Sequence, residues 1–155
     1  MTRDGAAKKK ILAVASGGGH WVELLRLTPA FEGHDVAFVT VSKAYQSEAP
    51  FGRFFVVNDA TRWNKFGLLL LTARVLWIIL RFRPDVIVST GAAPGYLAVR
   101  LGHLLRIRTV WIDSIANVEL LSLSGQRIGP AADLWLTQWP HLARDNGPQC
   151  MGSVL

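Results

Sequence analysis

The chain has 155 residues, half of them hydrophobic, with 17 Lys and Arg against 11 Asp and Glu, a net charge of +6 at pH 7. That length fits one domain around one core, and a second full domain is not expected. Cys150 is the only cysteine, which excludes a disulfide framework or cysteine zinc site within the chain and fits a reducing cytosol. The charge favours an anionic surface or ligand without choosing between nucleic acid, phospholipid and phosphorylated metabolite.

Residues 1–9 read as a flexible basic tail ahead of a single domain over 10–155. The apolar run Ile11 to Ala15 is too short for a signal peptide. Strands are expected at Lys10 to Ala15, Asp35 to Thr40, Phe54 to Val57, Asp85 to Ser89, Thr109 to Ile112 and Asp133 to Gln138, several of them continuously apolar and so buried on both faces. Helical patterns lie between them at Trp21 to Phe31, Phe66 to Phe82, Gly95 to Leu105 and Leu121 to Ile128, with Pro84 closing the second and Pro140 opening a last turn. Strands alternating with helices imply an α/β fold, a Rossmann-like, doubly wound parallel sheet. Ligands of such sheets sit beyond the carboxyl ends of the strands, where "SGGGH", "STGAAPG" and "IDS" all fall.

In "SGGGH", Gly17, Gly18 and Gly19 let the backbone approach an anion, and the helix that follows adds a partial positive end. A dinucleotide site fits less well, because Val22 stands where GxGxxG would place its last glycine. A plain tight turn is the structural alternative. His20 opens the helix, where the dipole favours a neutral imidazole able to accept a proton; it could equally hydrogen-bond its own loop. The four histidines are too scattered for a metal site, and no metal or cofactor is expected. "STGAAPG" repeats the arrangement: Thr90 supplies a hydroxyl, Gly91 and Gly95 open the backbone and Pro94 stiffens the turn. In "WIDSIANVELL", Asp113 and Ser114 follow a buried strand, with Asn117 and Glu119 close behind; a carboxylate there can orient or deprotonate a sugar hydroxyl, or simply cap a helix.

The segment 66–82 is apolar nearly all round, with Gly67, Arg74 and Arg81 spaced by sevens as a narrow polar stripe. A helix covering a sheet needs one apolar face only. Seventeen residues with a central arginine make a poor membrane span, since about 20 apolar residues are needed. Two readings stay open: a helix buried in the core or under another subunit, or one lying in a membrane interface. In the second, Trp63, Lys65, Leu69, Arg74, Trp77 and Arg81 meet lipid, with Arg62 and Arg83 nearby.

With these pieces together, the chain resembles the membrane-associated glycosyltransferase subunits that include the anchoring subunit of the dolichol-linked second N-acetylglucosamine transferase and the PssD-type exopolysaccharide proteins. The most specific part is "VWIDSIANVELLSLSGQRIGPAADLWLTQWPHLA"; "SGGGH" and "STGAAPG" also match and are shared with MurG-like transferases. The resemblance covers about residues 10 to 155. It implies the N-terminal half of a two-domain GT-B glycosyltransferase, whose nucleotide-sugar half is a separate polypeptide. Gly17 to His20 and Thr90 to Gly95 would meet the phosphates of a polyprenyl-diphosphate acceptor, Asp113 and Ser114 the acceptor sugar or subunit cleft, and Cys150 to Leu155 the partner. His20, or else Asp113, would be the base. The expected surroundings are a partner subunit, the lipid acceptor and the cytoplasmic face of a membrane, held peripherally or by shallow insertion, with no nucleic acid. Departures from the family pattern are Asp113 for the usual glutamate, Gln126 and Arg127 where a lysine is expected, and the lack of the membrane-spanning helix that opens the eukaryotic members. A non-catalytic scaffold that recruits a soluble transferase, and a Rossmann-type cofactor binder, are the competing functions.

Overall fold

The structure is a computed structural model that describes residues 7–154; most of the expected basic tail, residues 1–6, lies outside them, as does Leu155. Seven strands form one parallel sheet in the order β3-β2-β1-β4-β5-β6-β7. They are β1 (Lys10–Val14), β2 (Asp35–Thr40), β3 (Arg53–Val56), β4 (Val86–Ser89), β5 (Arg108–Ile112), β6 (Leu134–Thr137) and β7 (Gln149–Cys150). The helices are α1 (Gly19–Arg26), α2 (Lys65–Phe82), α3 (Ala92–Leu104) and α4 (Leu123–Ile128). β1 pairs with β2 on one side and β4 on the other, Leu12 opposite both Ala37 and Ile87. Chain order reverses there, so the switch point of the sheet lies between the loops that leave β1 and β4.

Parallel crossovers are right-handed, so a leftward step from β1 to β2 and rightward steps to β4 and β5 put their helices on opposite faces. Residues of α2, α3 and α4 accordingly share a core with Leu12, Val14, Ile87 and Trp111. On the other face Trp21 and Leu24 of α1 pack with Phe38, Val88 and Ile112.

Several expected boundaries shift, each for a local reason. The helix expected over 21–31 stops at Arg26, because Pro29 forces a tighter turn over Thr28–Phe31. α3 begins three residues before Gly95, with Pro94 accommodated in its first turn, where a missing N–H costs nothing. α4 begins at Leu123 because the Ser122 hydroxyl caps Gly125 N–H at 2.8 Å. α2 is capped by Asn64, which accepts from Gly67 N–H at 2.8 Å, and ends at Arg83 in the left-handed conformation, followed by Pro84. Asp85 and Asp133 each accept a backbone N–H of a neighbouring strand start, from Lys10 and Thr109, both at 2.8 Å. β7 has no counterpart among the expected strands.

Candidate functional site

Two polar clusters stand on the carboxyl edge of the sheet. At the first, the glycine loop turns from β1 into α1. Gly18 holds φ 64°, ψ −136° as N-cap, and no side chain caps the helix, so the first N–H groups of α1 have no intrahelical acceptor. The Tyr45 hydroxyl, from the turn after β2, accepts from Gly18 N–H at 3.0 Å, and a Cβ on Gly17 would stand 2.7 Å from it. Gly19 is exposed, with open space around it.

His20 faces the loop that leaves β4. Its Nδ1 lies 2.9 Å from the Thr90 carbonyl oxygen, and Thr90 Oγ1 donates back to the His20 carbonyl at 2.6 Å. A carbonyl only accepts, so Nδ1 carries the proton, and in the neutral ring Nε2 holds the free lone pair. Gly91 is required here: its φ is 134°, and a Cβ would stand 2.7 Å from the imidazole Nδ1 and Cε1. Ala92, a residue with a side chain, takes φ 64°, a left-handed conformation that costs of order 1–3 kcal/mol and collects at functional turns. α3 also starts without a side-chain cap. The reciprocal His20–Thr90 bonds thus hold together the free N-termini of α1 and α3.

Not every residue of "STGAAPG" shares this edge. Thr90 is fully buried and its hydroxyl is committed to the His20 carbonyl, so it does not offer the hydroxyl expected to meet a phosphate. Pro94 and Gly95 are buried as well, and a Cβ on Gly95 would collide with Ser89 Oγ. Gly95 therefore lets α3 pack against β4, and the expected phosphate contact at these two positions is corrected to a packing role.

At the second cluster, Asp113 is 2% exposed. Its Oδ1 accepts from Ser122 Oγ at 2.6 Å and Trp111 Nε1 at 3.2 Å; its Oδ2 accepts from Ser122 N at 2.9 Å and Asn117 Nδ2 at 3.1 Å. Both oxygens are saturated, so the geometry does not offer the carboxylate expected to meet a sugar hydroxyl; Asp113 closes the 113–122 loop, with Asn117 as one of its clamps. Ser114 is also turned inward, donating to Glu23 Oε1 at 2.9 Å. Glu119 alone of the four is exposed.

Glu23 is the residue that sequence reasoning passed over. On α1, 4% exposed, it accepts from Ser114 Oγ, from Ile115 N at 3.0 Å and from Gln138 Nε2 at 3.4 Å. Gln138 in turn donates to the Asp113 carbonyl at 3.0 Å and accepts from Val154 N at 2.8 Å. A carboxylate within a helix reads as solvent-facing, and nothing local signals partners about 90 residues away. The residues expected to meet the partner split: Cys150 pairs into the sheet as β7, Met151 is 68% exposed, and the Val154 carbonyl accepts from Arg26.

α2 is two-sided. Gly67, Leu71, Val75, Ile78, Ile79 and Phe82 are buried, which overturns the fully buried reading once the opposite side is seen. There Phe66 is 79%, Leu69 67%, Trp77 60% and Leu80 56% exposed, with Trp63 at 81% just ahead of the helix. Arg74, Arg81 and Lys65 are exposed beside them. Gly67 leaves the expected polar stripe: it packs against the capping Asn64. Among the described residues no helix is long and apolar enough to cross a membrane, and no group of three His, Cys, Asp or Glu could hold a metal ion.

The family described as "Oligosaccharide biosynthesis protein Alg14 like" matches residues 53–154, more than half of the chain. The chain belongs to this Alg14-like family. Its similarity to the UDP-N-acetylglucosamine transferase subunit ALG14 of Eremothecium gossypii is 29% identity over 88% of this chain and 75% of that protein. The subunit of the same name from Schizosaccharomyces pombe is 38% identical over 52% of this chain, spanning only 34% of that relative. Among solved structures, MurG of Acinetobacter baumannii superimposes with TM-score 0.76 at 12% identity, covering 95% of this chain and 46% of MurG. The UDP-N-acetylglucosamine 2-epimerase of Rickettsia bellii gives 0.70 at 13%, covering 96% and 46%. At those identities the likeness shows the fold alone: the Alg14-like chain has a Rossmann-like lobe of GT-B type and spans about half the length of these structures.

Proposed function

We propose that this Alg14-like chain is the acceptor-binding subunit of a split glycosyltransferase, working at the cytoplasmic face of a membrane with a separate nucleotide-sugar-binding subunit. The observation that carries it is the His20–Thr90 lock, which gathers two uncapped helix N-termini at the switch point of one GT-B lobe. Uncapped N–H groups converging at a switch point suit a diphosphate, here that of a polyprenyl-diphosphate-linked sugar. The names of the curated relatives support a sugar-transferase subunit with UDP-N-acetylglucosamine as donor.

In the reaction a hydroxyl of the bound sugar attacks the anomeric carbon of the nucleotide sugar with inversion. His20 Nε2 takes the hydroxyl proton, Nδ1 being held by Thr90, and the nucleoside diphosphate leaves on the partner's side of the cleft. The outward face of α2, with Trp63, Phe66, Leu69, Trp77 and Leu80 flanked by Lys65, Arg74 and Arg81, lies against the lipid surface that carries the acceptor. Apolar exposure on this scale marks an interaction surface, and cations beside it match anionic headgroups.

The test is turnover of a polyprenyl-diphosphate-linked sugar with UDP-N-acetylglucosamine, measured with the purified chain alone and with its partner subunit added. Negligible turnover alone and robust turnover of the pair are expected. Appreciable turnover by the single chain would refute the split-enzyme reading.

A further inference from the structure

We propose that the groove between α2, α3 and α4 is the seat of the first two isoprene units of the acceptor's lipid chain. The proposal rests on the diphosphate reading of the His20–Thr90 edge and adds where the chain goes from there.

The groove has a volume of about 350 Å³ and an apolar floor of Leu68 from α2, Ala93, Tyr96 and Leu97 from α3 and Leu123 from α4; Ser124 and two exposed arginines, Arg62 and Arg127, complete its lining. Its position links it to the edge. Ala93 directly follows Gly91 and Ala92, the turn that packs against His20, and Gly125 of α4 packs against Asp113. A molecule whose phosphates sit at the N-terminus of α3 therefore has an apolar channel beginning one residue further along the same helix. The larger cavity, about 460 Å³ and lined by His103, Arg106, Arg108 and Asp133, lies at the amino ends of β5 and β6, away from these loops.

Charge complementarity decides the class of occupant. An apolar groove flanked by two cations suits an anionic amphiphile. Among the described residues the one ion pair is Arg53 with Asp35, so neither groove arginine is committed to a carboxylate; Arg62 stacks on Trp63 at 4.7 Å. Arg127 stands in the stretch where the family resemblance leads one to expect a lysine, and it keeps a cation at the groove. At roughly 30 Å³ per non-hydrogen atom, the space a water takes in the liquid, the groove holds about a dozen atoms, or two five-carbon units. The remainder of a polyprenyl chain then continues outward to the bilayer, past the start of α2 where Trp63 and Phe66 are exposed.

The test is calorimetric titration of the full chain with dimethylallyl, geranyl and farnesyl diphosphate, which share one headgroup. Geranyl diphosphate should bind at least about tenfold tighter than dimethylallyl diphosphate, as burial of even part of one further five-carbon unit requires, and farnesyl diphosphate should gain less than about threefold more. Leu123→Glu, at an exposed position, should bring the geranyl-to-dimethylallyl ratio close to one while dimethylallyl diphosphate still binds; Arg127→Gln should weaken all three alike. Equal affinities for the three probes, or a ratio unmoved by Leu123→Glu, would overturn the groove and leave the diphosphate site standing. A ratio abolished by Trp77→Glu instead would place the chain on the outer face of α2 and also overturn it. Absence of binding by all three would bring down the diphosphate reading together with the groove.

Discussion

The His20 and Asp113 clusters stand on the same edge of one parallel sheet, each just after a buried strand, and each is built from small polar residues and glycine. They spend those groups differently. Around His20 one ring nitrogen is used and the other is free, and the helices on both sides begin without a side-chain cap. Around Asp113 each carboxylate oxygen takes two hydrogen bonds, Ser122 caps α4, and the carboxylate is sealed from solvent. The first arrangement leaves backbone donors and one imidazole nitrogen unspent; the second consumes its polar capacity internally. On the proposed function, chemistry on this edge belongs to the β1 and β4 loops, while the loop after β5 supplies rigidity.

Substitutions can break this contrast. The largest effect on stability belongs to Asp113→Asn, which sets an amide donor against Ser122 and Asn117 donors in a buried site. A loss of about 3 kcal/mol is expected, read as a fall of roughly 6–12 °C in Tm for a domain of this size. Next, His20→Ala should lower turnover of the assembled pair about 100-fold, near 2.7 kcal/mol of barrier, with a smaller fall in Tm of a few degrees as the Thr90 carbonyl loses its donor. Gly91→Ala sharpens the contrast by joining the two effects: a side chain at φ 134° and against the imidazole should cost about 1–3 kcal/mol of stability and displace His20, so turnover falls as well. Trp77→Glu on the outer face of α2 should cut binding to anionic vesicles about tenfold in a sedimentation assay, leaving turnover of a short-chain soluble acceptor unchanged. Smallest, Tyr45→Phe removes one hydroxyl acceptor from Gly18 N–H and should cost about 1 kcal/mol in denaturant unfolding.

The sheet was legible because its strands are short continuous apolar runs separated by helical patterns, which leaves few topologies. β7 was not: Gln149–Cys150 is two residues long with no apolar run, and only its pairing with β6 makes it a strand. The glycine loops were legible as backbone geometry, but sequence alone could not separate Gly91, which makes room for the imidazole, from Gly95, which makes room for Ser89. Asp113 and Glu23 show the complementary limit. A carboxylate after a strand resembles an active-site group until its partners are known, and those of Glu23 come from loops beyond β5 and β6. For α2 the difficulty was excess of signal: both faces are apolar, so periodicity could not tell which one the sheet covers.

The most direct measurement pairs His20→Ala with Asp113→Asn in the assembled two-subunit enzyme, recording turnover and Tm for each. His20→Ala is expected to lose about 100-fold in turnover at temperatures where it stays folded, with a fall in Tm of only a few degrees, whereas Asp113→Asn lowers Tm further and loses turnover only as far as the folded fraction falls. Full activity in His20→Ala, or a catalytic collapse in a stably folded Asp113→Asn, would contradict that expectation.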